Sequence, residues 1–402
     1  MMALADIEGS QAATKGNAIV KVETFIVSIP RDEPYLGPLR DGESINSRGY
    51  LIRKGNRSIY PSTDQSLLVK VTSECGQVGW GESYGMVAPT AVKAIVDDLL
   101  GPVLVGRRID QPVVLHEDLY DLMRVRGFFG GYYLDALAGV DIACWDLFAR
   151  CVGRPLVDVL GGRRHDRLAA YVSGLPKATL AGKCELARSF VDRGFTGIKF
   201  AAAVAEDDIV NEMAALREAV GAEVDLMVDL HWKFTAAEAI RLIRKLEPYD
   251  LFFAEAPVEP EDLEGQVEVG RAIGTRHALG EEWHTAYEYR PRFVQRAMSV
   301  IQPEIAHTGV TQFMTIGRMA NVFHVDTIPH ASVGIGIFQA ASLHATSALK
   351  KVSYHEYQHS IFDKNLKFVT GDMACDGGFY RLPSGNGLGV APHPSVFDHV
   401  IG

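Results

Sequence analysis

The sequence predicts an α/β protein: a (β/α)8-type, modified TIM barrel, with an α+β unit ahead of it and a Gly-rich segment behind. Three observations carry this. From about residue 168 the chain alternates short apolar strand candidates with helical segments, giving eight strands in all. A repeating βα rhythm implies a parallel sheet, and eight units favour closure into a barrel. Before residue 150 the rhythm is different, with long strands first and helices after. An open doubly wound sheet is the alternative, but no G-x-G-x-x-G follows a strand to support it.

The elements follow in order. The opening "MMALADIEGSQAATKGNA" carries acids, Gly and polar residues where a signal peptide needs an apolar run, so it reads as a flexible leader without export. "AIVKVETFIVSI" and "SLLVKVTSECGQVGWGES" read as strands, the second pair broken by a turn at Glu74–Gly76. "PTAVKAIVDDLLGPVLVG", "VVLHEDLYDLMR" and "YYLDALAGVDIACWDLFARCVG" have helical periodicity, the last stopped by Gly153 ahead of Pro155. The barrel strands are "RLAAYVSG", "GIKFAAA", "VDLMVDLH", "LFFAEAP", "HALGEE", "SVIQPEI", "DTIPHA" and "VSYHEY". The expected division is residues 18–150 for the α+β unit, 151–361 for the barrel, and 362–402 for a segment that packs back on the first unit.

Composition narrows the function. The 402 residues are 47% hydrophobic and 22% charged, with a formal net charge of −10. That charge argues against nucleic acid or an anionic membrane as partner, because both need a basic surface. It leaves an anionic substrate open, since a bound cation inverts the local field. Five cysteines without a C-x-x-C pair fit reduced thiols in a cytoplasmic protein. No uninterrupted apolar segment is long enough to span a bilayer.

A barrel of this kind carries its chemistry at the C-terminal strand ends. Those ends offer Lys199, Asp229, His231, Glu255, Glu281, Glu304, His330 and Glu356. Asp229, Glu255 and Glu281 stand 26 residues apart, one βα unit per step. Single strand-end acids usually cap helices. Three on successive strands would converge, repel, and raise one another's pKa values. A divalent cation removes that cost, and all-oxygen ligands suit Mg2+. Glu304 is placed to orient His330 as a general base. Strand alternation would put Asp229 and His231 on one face.

Laid out this way, the chain resembles the mandelate racemase subgroup of the enolase superfamily over nearly its whole length. "ALAGVDIACWDLFARCVGRPLVDVLGG" looks like that subgroup's helix joining capping domain to barrel. "VDLHW", "FFAEAP" and "LGEEW" look like its three metal-ligand strand ends, and "IQPEIAHTGVT" followed by "PHASVGIG" like its carboxylate–histidine dyad. The resemblance implies Mg2+ on Asp229, Glu255 and Glu281, abstraction of a proton next to a carboxylate, and an enediolate intermediate. It places Glu356 against the substrate carboxylate, either protonated or donating through a partner. The Lys-x-Lys of racemases is reduced here to Lys199 with Ala201, which makes Lys199 a charge for the substrate carboxylate. Glu304 stands where Asp is usual, and Ala256 replaces a second acid. In sugar-acid dehydratases of the galactonate type, a histidine at the position of His231 protonates the leaving group.

The leading expectation is therefore a hydro-lyase that dehydrates an aldonate or aldarate to a 2-keto-3-deoxy acid. A racemase or epimerase using His330 with His231 or Lys199 is the alternative, and a binding-only barrel a third reading. A zinc hydrolase barrel lacks its His-x-His pair on strand one. Tyr35 and Arg48, in a lid rich in arginine, and Trp283 are the expected further substrate contacts. The resemblance also implies a homo-oligomer, an octamer among the forms expected.

Overall fold

The computed structural model describes residues 16–54, 57–202 and 208–401; the expected leader lies outside them up to residue 15. The N-terminal sheet is antiparallel, with β1 (Ile19–Pro30) beside β4 (Thr63–Ser73) and β4 beside β5 (Val78–Ser83). Between β1 and β4 a long excursion carries the hairpin of β2 (Tyr50–Ile52) and β3 (Ile59–Pro61). Helices α1 (Pro89–Ile95), α2 (Gly101–Leu104), α3 (Pro112–Arg124) and α4 (Tyr132–Cys151) follow.

Helix α4 is buried on nearly every side, because it lies between the sheet and the barrel. Its approach to β5 is close enough to require glycine. A Cβ on Gly81 would come within 2.0 Å of the Gly139 carbonyl oxygen, and one on Gly79 within 2.3 Å of that of Ala143.

After α5 (Leu156–Val159) the alternation begins. The barrel strands are β6 (Arg167–Ser173), β7 (Gly197–Ala201), β8 (Asp225–Asp229), β9 (Leu251–Glu255), β10 (Arg276–Leu279), β11 (Val300–Ile301), β12 (Asp326–Thr327) and β13 (His355–Tyr357). Each pairs in parallel with the next as far as β12, and β13 pairs in parallel with β6. Thr327 N donating to Lys351 O at 3.2 Å and Glu356 N to Pro329 O at 3.3 Å close the ring between the last two. Tyr171, Met227, Phe253, Ala278, Val300, Ile328 and Tyr354 form one cluster inside it.

The intervening helices are α6 (Leu180–Asp192), α7 (Ile209–Val220), α8 (Ala236–Leu246), α9 (Leu263–Ala272), α10 (Ala286–Gln295), α11 (Ile305–Val322) and α12 (Ile337–Ala348). Five of them are N-capped by Thr or Asp. Thr179, Asp208 and Asp262 cap α6, α7 and α9, while Thr235 with Glu238 and Thr285 with Glu288 form capping boxes on α8 and α10.

The last segment contains α13 (His359–Asn365), β14 (Val369–Thr370), β15 (Ala374–Asp376), β16 (Phe379–Arg381) and β17 (Ala391–Pro392). It reaches both halves. β16 runs antiparallel along β6, and Ile401 N donates to Ile26 O of β1 at 2.9 Å. Among the described residues no helix is long and apolar enough to cross a membrane.

Candidate active site

A cavity of about 630 Å3 opens at the C-terminal strand ends, lined by Lys199, Asp229, His231, Glu281, His330 and Glu356 among others. The caps explain why acids are free to face it. Thr235, Asp262 and Thr285 serve α8, α9 and α10, so Asp229, Glu255 and Glu281 are surplus to capping.

Asp229 and Glu255 are register partners on β8 and β9. Glu281 is not level with them. The partner of Glu255 on β10 is Ala278, three residues earlier. The chain turns at Gly280, with φ +116°, where a Cβ would come within 2.7 Å of the Tyr289 ring. That turn returns Glu281 to the site. Equal sequence spacing thus hid unequal strand lengths. Burial raises the Glu281 carboxyl well above its usual range, and Glu255 and Asp229 raise it further against the pull of His330. Repulsion of this kind is what a divalent cation relieves, and the all-oxygen donor set fits Mg2+. Lys199, His231 and His330 are interleaved with the three, contacting Glu255, Asp229 and Glu281 respectively.

Lys199 Nζ lies 2.7 Å from Glu255 Oε2 and 2.9 Å from Glu356 Oε1. Its charge is therefore matched by two carboxylates, while the side chain still lines the cavity. Burial would raise the Glu356 carboxyl, yet Lys199 and His330 hold it down to about 2. Of the two forms considered above, this direction favours the carboxylate acting through a donating partner, here Lys199. Glu356 Oε2 accepts from Ala331 N at 2.8 Å.

Glu304 combines two tasks. It is the N-cap of α11, Oε1 accepting from Ala306 N at 3.0 Å, and its Oε2 accepts from His330 Nδ1 at 2.9 Å and Ser332 N at 2.8 Å. With Nδ1 turned to Glu304, His330 Nε2 faces the cavity, 3.6 Å from carboxylate oxygens of both Glu281 and Glu356. Burial alone would lower the imidazole pKa, but Glu281, Glu356 and Glu304 together raise it well above the ordinary histidine value.

His231 reaches the cavity by another route than strand alternation. β8 ends at Asp229, and His231 and Trp232 follow with φ +49° and +52° in a left-handed turn. Two consecutive non-glycine residues in that region are costly and persist only where surroundings impose them. Asp229 does so, its Oδ1 accepting from His231 N at 2.9 Å and its Oδ2 lying 2.7 Å from His231 Nδ1. Trp232 N donates to Ala256 O at 2.6 Å across the next strand end.

Two expected contacts fall elsewhere. Arg48 is exposed in a turn and does not line the cavity. Tyr35, the other expected lid contact, does line the cavity, together with Arg57 and Tyr60. Trp283 is buried against Tyr289, with Arg292 stacked 4.0 Å from its ring centroid, so it is a core residue. The cavity tryptophan is Trp232. Sequence reasoning also missed Tyr84, Tyr132 and Asp135, which come from elements far from the barrel strand ends, and Gln358, which directly follows β13.

Residues 184–396 match the family described as enolase C-terminal domain-like, and residues 58–161 match the mandelate racemase / muconate lactonizing enzyme N-terminal domain. The chain belongs to the enolase superfamily, in its mandelate racemase group. It is 29% identical over 340 residues to the arabinonate dehydratase of Saccharolobus solfataricus, covering 82% of this chain and 88% of that protein. It is also 29% identical over 348 residues to the D-gluconate dehydratase of Thermoproteus tenax, covering 83% of this chain and 69% of the relative. A solved protein of Sinorhizobium meliloti, provisionally designated an isomerase, is 49% identical with a TM-score of 0.95, covering 96% of this chain and 100% of that one.

Proposed function

We propose that the protein is a Mg2+-dependent hydro-lyase that removes water from an aldonate or aldarate, giving a 2-keto-3-deoxy acid. One observation carries the reading: carboxylates released from capping duty face a cavity that also holds a carboxylate-oriented imidazole, His330, and a second imidazole, His231. Two relatives named for sugar-acid dehydration support the substrate class.

Asp229, Glu255 and Glu281 would hold Mg2+, whose charge would stabilise the negative charge that develops on the substrate carboxylate. His330 Nε2 takes the α-proton, and Glu304 fixes its tautomer and stabilises the imidazolium that results. His231 supplies the proton to the departing β-hydroxyl, while Asp229 holds its Nδ1. Lys199 keeps Glu255 and Glu356 in place and balances their charge.

Racemisation or epimerisation on the same two histidines is the second reading, favoured by the isomerase designation of the Sinorhizobium meliloti protein. Both are tested by incubating the protein with Mg2+ and a library of sugar acids in D2O, followed by NMR. Keto-acid formation supports the dehydratase. A deuterated epimer without keto acid refutes it in favour of the epimerase.

A further inference from the structure

Three donors from three separate elements meet at the seam between α4 and the barrel. Asp135 lies in the first turn of α4, His284 in the loop after β10, and His307 in the first turn of α11. Asp135 Oδ1 lies 2.6 Å from His307 Nδ1 and 3.2 Å from His284 Nε2. One donor atom from each lies within 4.8 Å of the others, the two imidazole ring centroids being 4.8 Å apart. Asp135 is 4% exposed, and the Tyr84 ring packs on His307 at 4.2 Å between centroids. Asp135 and Tyr84 also line the substrate cavity.

We propose that Asp135, His284 and His307 form a second cation site, selective for Zn2+ or a similar borderline ion, which pins helix α4 to the barrel at the cavity rim. Two imidazoles with one carboxylate suit Zn2+, whereas Mg2+ prefers oxygen donors. Ligand softness would therefore separate two ions within one chain, the oxygen-rich strand ends taking the hard cation. Two of the three donor separations are close to what such an ion needs. Bonds of about 2.0–2.1 Å in a tetrahedral site set ligand atoms roughly 3.3 Å apart. The Asp135–His284 separation is 3.2 Å, and His307 must withdraw by roughly 0.7 Å from its 2.6 Å contact to match. Both imidazoles converge on the same oxygen, Oδ1, so the three donors are gathered at one point. Three protein ligands leave a fourth position for water or a substrate hydroxyl.

The test is Zn2+ titration of the chelator-stripped, full-length protein in saturating Mg2+, followed by calorimetry and elemental analysis. The proposal predicts one tightly held Zn2+ per chain. Asp135→Asn and His284→Asn should each weaken it at least about tenfold, the least that loss of even an outer-shell partner usually causes. Asp229→Asn should leave it in place. Co2+ in its stead should give the visible absorption of a four-coordinate nitrogen-containing site. Should a variant misfold, anomalous scattering from a Zn2+-soaked wild-type crystal decides. A peak among the three residues supports the site. Zn2+ found only at the strand-end carboxylates, or none retained, overturns it and leaves an imidazolium–carboxylate network.

Discussion

Replacing Glu304 with Gln separates orientation from basicity at the dyad. The carboxylate accepts three hydrogen bonds, two at Oε2 from His330 and Ser332 and one at Oε1 from Ala306. Glutamine has one oxygen. If that oxygen keeps His330 and Ser332, the amide faces the Ala306 N–H and the cap of α11 is lost, costing about 1 kcal/mol of stability. The hydrogen bond to the imidazole becomes neutral, and bonds to charged groups contribute about 1.5–3 kcal/mol against about 0.5–1.5 for neutral ones. A loss of about 1–2 kcal/mol in transition-state stabilisation lowers kcat/KM by roughly 5- to 30-fold. Dehydration and exchange of the α-proton with D2O should fall together, because both pass through His330. The assay is kcat/KM on the best substrate, with circular dichroism melting as the control for folding. An unchanged kcat/KM in a folded Glu304→Gln variant would refute the dyad. So would a variant that loses dehydration while keeping full exchange.

Further outcomes follow from the same geometry. Asp229→Asn should abolish Mg2+-dependent turnover and weaken Mg2+ binding by calorimetry, and full wild-type activity in excess chelator would remove the metal from the account. Gly280→Ala should lower the melting temperature and the activity together, since its Cβ meets the Tyr289 ring at 2.7 Å and the turn presents Glu281; a stable, active variant would show that the turn adapts. Arg48→Ala should leave KM unchanged within twofold, whereas Arg57→Ala should raise it, only the second lining the cavity. Burial holds His277 and His344 down to about 4. A depressed folded-state pKa gives stability that is present above the unfolded value near 6.5 and lost as pH falls toward 4, worth roughly 3 kcal/mol per histidine. Melting midpoints should therefore drop steeply between pH 6.5 and 4 and less steeply in His277→Gln; a flat profile contradicts the burial argument.

The barrel was legible because its βα units repeat one pattern, an apolar run followed by polar strand-end residues, with a Thr or Asp cap on α6 to α10. The acids at 229, 255 and 281 stood out against that repeat, and so did the His330–Glu304 pair. Positions set by turns were harder to read. Glu281 depends on the left-handed turn at Gly280, and His231 on positive φ at two non-glycine residues, which no strand periodicity anticipates. Trp283 and Trp232 each end or follow a strand-end word, yet one turns into the core and the other into the cavity. The lid misled for a related reason. Arg48 and Arg57 have the same local chemistry, and only the hairpin of β2 and β3 decides which faces inward. Asp135, His284 and His307 are scattered over 173 positions, inclusive, and meet only through the docking of α4 on the barrel.

The proposed mechanism divides the work between two imidazoles, His330 taking the α-proton and His231 assisting the leaving hydroxyl. It is tested most directly by following, in D2O with Mg2+, both α-proton exchange and keto-acid formation on one sugar acid. His330→Asn and His231→Asn are compared with the wild type. His330→Asn should lose both, and His231→Asn should lose dehydration by roughly 10²- to 10⁴-fold while retaining part of the exchange. Exchange persisting in His330→Asn, or full dehydration in His231→Asn, would contradict it.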